Sequence, residues 1–139
     1  MLCGLEIAHH HGLSGHSDAD VATHAVIDAI LGAAGLGDIG EHFPDTDPAY
    51  EGASSLALLG EVVKRVRQAG WRVVNVDLVI VAERPRLAAH RAEMVALLAA
   101  ALGVGSDAVG VKATTTEGMG FEGRGEGVSA TAVCLLEQA

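Results

Sequence analysis

Trp71-Arg72-Val73-Val74-Asn75-Val76-Asp77-Leu78-Val79-Ile80-Val81-Ala82 is the stretch on which the fold turns. It is rich in β-branched residues, which pack well on a pleated surface, so it reads as the best strand of the chain. Pro85 breaks it. Downstream, a helix carries Leu87, Val95, Leu98 and Leu102 as far as Gly103, and Val109–Thr115 reads as a second strand. Glu117–Gly127 is a glycine-rich loop, and Val128–Leu136 is a closing strand. Upstream, a helix over about Ser54–Ala69 places Leu56, Leu59, Val63 and Val66 inward and stops at Gly70. Residues 38–52 form a long polar loop with Pro44 and Pro48. Before it, Ser17 reads as the N-cap of a helix running to about Leu36, apolar nearly all round and therefore buried on most sides. Residues 2–8 read as a short strand. The order β-α-α-β-α-β-β predicts an α+β single domain, a mixed four-stranded sheet with helices packed on one face.

Composition bounds what this domain can do. With 139 residues the chain fits one domain, and half of them are hydrophobic, enough to offset chain entropy and exclude disorder. No apolar run reaches the ~18 residues of a membrane helix. Met1-Leu2-Cys3-Gly4 has no basic leader segment, so a cytoplasmic protein is expected. Cys3 and Cys134 read as free, partly buried thiols. Nine basic against eighteen acidic residues give a net charge of −9, the wrong sign for a nucleic-acid surface. No Lys or Arg precedes Lys64, while residues 1–63 hold ten carboxylates and six of seven histidines. That half either holds cations or is a solvated acidic face.

Three constellations could carry chemistry. Gly118-Met119-Gly120-Phe121-Glu122-Gly123 has the G-x-G-x-x-G spacing, but a strand rather than a helix follows it. A pyrophosphate cradle therefore has no helix N-terminus to use. His24 lies between Asp20 and Asp28 on one helical stripe, as a core histidine or as a metal ligand oriented by two carboxylates. Lys112-Ala113-Thr114-Thr115-Thr116-Glu117 sets three hydroxyls and a carboxylate at a strand end, either a plain β-run or a seat for phosphate and its divalent cation.

Taken in order, His16-Ser17-Asp18-Ala19-Asp20, His24-Ala25, Asp38-Ile39-Gly40, Phe43-Pro44-Asp45-Thr46-Asp47, Lys112-Ala113-Thr114-Thr115-Thr116-Glu117 and Gly123-Arg124-Gly125-Glu126-Gly127 closely resemble the 2-C-methyl-D-erythritol 2,4-cyclodiphosphate synthases. The resemblance spans about residues 3–136. It implies a homotrimer with active sites at subunit interfaces, each with a zinc ion and a magnesium or manganese ion. It implies a cytidine diphosphate substrate, 4-diphosphocytidyl-2-C-methyl-D-erythritol 2-phosphate, whose 2-phosphate attacks the β-phosphorus and expels CMP. It also implies roles by position. His24 would be a zinc ligand and Glu117 a ligand of the second metal. His16 and Thr115 would steady the transferring phosphate, and Ser17 would touch substrate. Asp38-Ile39-Gly40 would lie near the ribose, and Phe43-Pro44-Asp45-Thr46-Asp47 would form a second substrate loop. Ala82-Glu83-Arg84-Pro85-Arg86-Leu87-Ala88 with Ala113-Thr114-Thr115-Thr116 would form the cytidine diphosphate pocket of a neighbouring subunit, with Arg86 where the family often has lysine. Phe121 and Arg124 would be further binding positions.

The family pattern normally opens with a strand and a G-x-D-x-H segment that supplies two more zinc ligands, and this sequence begins beyond it. An N-terminal strand and metal-ligand segment are thus expected to be missing from residues 1–139, leaving the zinc site incomplete. His9, His10 and His11 fall where the family has an ordinary turn. A non-catalytic trimeric binder of cytidine nucleotide or isoprenoid diphosphate is the alternative reading of the same scaffold.

Overall fold

Val76, Leu78 and Ile80 alternate inward along one strand, and everything else is layered on them. The computed structural model describes residues 1–7, 20–50, 53–84 and 86–139. In chain order it contains α1 (Val21–Ala33), α2 (Ile39–His42), α3 (Ser55–Gln68), β1 (Trp71–Val81), α4 (Arg91–Leu102), β2 (Val109–Thr114), α5 (Gly120–Gly123) and β3 (Ser129–Gln138). The sheet order is β2-β1-β3, with β1 parallel to β2 and antiparallel to β3. The long helices α1, α3 and α4 lie on the inward face, where Ile27, Ile30, Leu59, Val62, Leu98 and Leu102 close one hydrophobic core over β1. The fold is α+β with a mixed sheet.

Helix ends follow their sequence signals. Ser54 caps α3 by accepting from the Ala57 N–H at 3.1 Å, and Gly103 ends α4 in the left-handed conformation. Within α3 the inward positions are Leu59, Val62 and Val66, with Leu56 and Val63 only half-buried. The polar loop after α1 contains the short α2 and a single 3-10 turn at Pro48–Tyr50.

The described residues form three strands rather than four. Residues 2–7 are not a strand, because Cys3 and Gly4 both take positive φ (52° and 75°) and fold the chain onto itself. Leu2 and Leu5 exchange two 2.9 Å backbone bonds across that turn. The amides of Cys3 and Gly4 donate to the Asp20 carboxylate instead of to a neighbouring strand.

The start of α1 also differs from expectation. Asp20 is its N-cap, accepting from the Thr23 N–H at 2.9 Å, and the helix runs Val21–Ala33. Ser17, expected in that role, lies outside the described residues. Among the described residues no helix is long and apolar enough to cross a membrane.

Candidate active site

Parallel pairing of β1 with β2 decides what can meet at the sheet's end. Ile80 lies opposite Ala113 and Val81 opposite Thr114, and the Ala82 N–H donates to the Thr114 carbonyl at 3.0 Å. The two segments expected to hold cytidine diphosphate, 82–88 and 113–116, therefore leave the sheet side by side. Ala82 and Leu87 are buried beneath, while Arg84 and Arg86 are exposed and present cations suited to a diphosphate. Glu83 Oε2 is buried with no hydrogen-bond partner among the described residues, an acceptor that a ligand donor could satisfy. Pro85 lies outside the described residues.

The hydroxyl run turns sharply after β2. Glu117 sits at φ 54°, a left-handed backbone that a side chain adopts at a cost of about 1 kcal/mol. Its N–H donates to Thr115 Oγ1 at 3.3 Å, Thr114 Oγ1 donates to the Thr115 carbonyl at 3.3 Å, and Thr116 Oγ1 donates to the Met119 carbonyl. Thr115 Oγ1 is an acceptor in its contact, so that contact leaves its proton for another acceptor. The left-handed Glu117 thus stands beside the exposed Thr115 hydroxyl at the end of β2.

Beyond this turn, α5 is a four-residue helix that leads into β3, so the G-x-G-x-x-G spacing makes no pyrophosphate cradle. A side chain at Gly123 would run into the Gly118 backbone, which explains that glycine as close packing. Phe121 is 45% exposed and Met119 69% exposed at the loop tip. Arg124 is paired with Glu126 at 2.8 and 3.2 Å. That hydrogen bond moves the Arg124 guanidinium up and the Glu126 carboxyl down from their ordinary values.

On α1 the acidic stripe does not serve His24. Asp20 is fully buried, and its two oxygens receive five hydrogen bonds among the described residues. Oδ1 accepts from the N–H groups of Cys3 and Thr23, and Oδ2 from Gly4 N–H, Thr23 Oγ1 and Ser55 Oγ, at 2.6–2.9 Å. Asp28 accepts from the Ile39 N–H at 2.8 Å and ties α1 to α2. Among the described residues neither carboxylate makes a hydrogen bond to the imidazole. Both side chains anchor backbone amides that local structure leaves unpaired.

Whether the chain can hold metal follows from the same geometry. Among the described residues no three His, Cys, Asp or Glu side chains group closely enough to hold an ion. His24 and Glu117 are present singly, and His9, His10, His11 and His16 lie outside the described residues. The described residues do not by themselves fit a four-coordinate zinc site.

The remaining expected contacts lie on residues 38–47. Asp38 caps α2 by accepting from the Glu41 N–H at 2.9 Å, with Ile39 and Gly40 in its first turn. Pro44, Asp45 and Thr46 are exposed, and Asp47 accepts from the Ala49 N–H at 2.9 Å. Phe43 is buried and packs edge-on against Tyr50, with centroids 4.9 Å apart. Among the described residues no hydrogen bond joins 38–47 to 82–88 or to 113–117.

A family model described as the YgbB family matches residues 1–137. The chain belongs to the YgbB family. Curated YgbB relatives include the 2-C-methyl-D-erythritol 2,4-cyclodiphosphate synthase of Bordetella petrii, 57% identical over 98% of this chain and 84% of the relative. The protein of the same name from Syntrophomonas wolfei is 58% identical over 100% of this chain and 88% of its own. A solved 2C-methyl-D-erythritol-2,4-cyclodiphosphate synthase in a CDP-bound form superposes with a TM-score of 0.91 at 40% identity. It covers 99% of this chain and 89% of that one. Sequence reasoning missed the buried acceptor on Glu83 and the clustering of Arg65 with His42, Phe43 and Tyr50. The only signal for the second was an arginine on the polar stripe of α3, which reads as solvated.

Proposed function

We propose that the chain converts 4-diphosphocytidyl-2-C-methyl-D-erythritol 2-phosphate into 2-C-methyl-D-erythritol 2,4-cyclodiphosphate and CMP. The observation that carries this reading is the side-by-side exit of residues 82–88 and 113–117 from the β1–β2 pair in a YgbB chain. An oxygen of the 2-phosphate forms a bond to the β-phosphorus, the bond from that phosphorus to the oxygen bridging to the α-phosphorus breaks, and CMP leaves with the electron pair. The nucleophile is already anionic, so positioning and charge stabilisation do the work and no general base is required. Thr115 donates its hydroxyl to the phosphate as charge develops, and His16 assists it. Ser17, Asp38–Gly40 and Phe43–Asp47 hold the erythritol and ribose ends. Arg84, Arg86 and the threonine run hold the cytidine diphosphate, and Glu83 Oε2 accepts from a ligand donor. His24 and Glu117 are the residues we assign to zinc and to magnesium or manganese; among the described residues no further group of ligands joins them.

Among the described residues no hydrogen bond joins 38–47 to 82–88 or 113–117, which accords with a composite pocket between subunits of a homotrimer. The outward sheet face supports it too, for Val133 and Leu135 on β3 are 67% and 55% exposed, and large apolar side chains in such a row mark an interface. Phe121 and Arg124 would sit at the same junction. A cytoplasmic location accords with this metabolism. Incubating the full chain with substrate, zinc and magnesium should release CMP, and sedimentation should give three times the chain mass. CDP binding without CMP release would support the non-catalytic binder instead.

A further inference from the structure

Arg65 lies on α3, outside the segments assigned to substrate, yet it bonds at both ends of the loop 43–50. Its Nη1 donates to His42 Nδ1 at 2.9 Å and to the His42 carbonyl at 3.3 Å. Nη2 donates to the Tyr50 hydroxyl at 3.1 Å, and the guanidinium carbon lies 4.8 Å from the centroid of the Phe43 ring. Glu61, one turn earlier on α3, accepts from Nε at 3.3 Å and fixes the plane of the group. A guanidinium can only donate, so His42 Nδ1 must accept and Nε2–H must donate to the Leu36 carbonyl, 2.7 Å away. The imidazole is thereby locked in one tautomer between α1's exit and α3.

Among the described residues, the hydrogen bonds of the loop between these anchors are local ones. Its internal bonds are turns, Asp47 N–H to the Pro44 carbonyl at 3.0 Å and Tyr50 N–H to the Asp47 carbonyl at 3.2 Å. Turns set a loop's shape but not its orientation on the molecule. Among the described residues, Arg65 bonds to His42 and to Tyr50, on either side of Pro44-Asp45-Thr46-Asp47, and lies over the Phe43 ring that packs against Tyr50. Its planar fork does what a lysine, a point charge on a flexible stem, cannot reproduce.

We propose that Arg65 is a positioning residue that sets the substrate loop Phe43–Asp47 through His42, Phe43 and Tyr50, without touching substrate itself. The inference rests on reading that loop as the seat of the erythritol end. The loop aims the attacking phosphate, so a shift of about 1 Å in it falls on turnover rather than on nucleotide affinity.

The test compares Arg65→Met and Arg65→Lys with the parent in the full chain. Amide hydrogen exchange should quicken at residues 43–50 and stay unchanged in β1. Turnover at saturating substrate should fall about 10²-fold while CDP affinity holds within about twofold. Lysine should rescue little, because geometry rather than charge is lost. Should the methionine variant fail to fold, the lysine variant carries the same readouts. Unchanged exchange at 43–50 would overturn the proposal, as would faster exchange with full turnover, or CDP affinity falling in step with turnover. A parent chain that never turns over substrate would refute the proposed reaction and, with it, a catalytic use for the loop. The exchange arm would still report whether Arg65 holds it.

Discussion

Replacing Asp20 with asparagine changes one buried atom and tests what the acidic half of the chain is for. All five partners of the carboxylate among the described residues are donors, three of them backbone N–H groups. Asparagine offers one oxygen and one NH2. If the NH2 takes the Oδ2 position, the hydroxyls of Thr23 and Ser55 can rotate to accept, but the Gly4 N–H is left facing a donor. If it takes the Oδ1 position, Cys3 and Thr23 N–H groups are both orphaned. The better orientation still leaves the half-buried Gly4 N–H unsatisfied, about 1–3 kcal/mol, and weakens two surviving backbone bonds from charged to neutral acceptors by about 1 kcal/mol each. The sum is about 4 kcal/mol, a large part of the ~5–15 kcal/mol a domain has. At about 2–4 °C per kcal/mol for a chain of this length, Asp20→Asn should melt roughly 10 °C lower. Calorimetry at fixed protein concentration measures this, with metal content of both forms determined alongside. A fall of less than about 3 °C, together with loss of metal, would refute the structural role and restore Asp20 as the orienter of His24.

Thr115→Ala should lower turnover about 10²-fold with substrate affinity nearly unchanged, since one hydroxyl donor to developing charge is worth about 3 kcal/mol; equal losses in both would make Thr115 a ground-state contact. Glu117→Gly trades about 1 kcal/mol of left-handed strain against a similar gain in unfolded-chain entropy, so the melting point should hold while turnover is lost. Full activity in that variant would remove Glu117 from the site. Burial, with Asp20 close by, pushes the Cys3 thiol up from 9.0 to about 12. The folded state keeps this proton where the unfolded chain loses it, so its contribution is complete below pH 9 and declines towards pH 12, at up to about 1.4 kcal/mol per pH unit. Denaturation curves of the parent should therefore worsen more steeply over that range than those of Cys3→Ala, and parallel slopes would contradict it.

The strands and long helices were legible because each is a local pattern. Residues 71–82 are rich in β-branched residues, Ser54 precedes an apolar stripe, and Gly103 closes another, so propensity, cap and burial agree. The opening residues were not, because what shapes them lies far along the chain. The amides of Cys3 and Gly4 turn toward Asp20, seventeen and sixteen residues on, and a left-handed cysteine has no signature in composition. The acidic half was read as cation-binding or solvated. Asp20, Asp28, Asp38 and Asp47 instead accept from backbone N–H groups at chain turns and helix starts, a third use that counting charges does not suggest. Within the candidate site, the threonine run and Glu117 were recognised as a set of residue types at a strand end. Their partnership with 82–88 depends on the parallel register of β1 and β2, which no short motif encodes.

Phosphorus NMR of the full chain with 4-diphosphocytidyl-2-C-methyl-D-erythritol 2-phosphate tests the central claim most directly, because it separates ring closure from hydrolysis. The account requires the three substrate phosphorus signals to give way to CMP and a pair of mutually coupled signals from the cyclic diphosphate, in equal amounts. CMP appearing beside a linear bisphosphate, or an unchanged substrate spectrum with nucleotide bound, would contradict it.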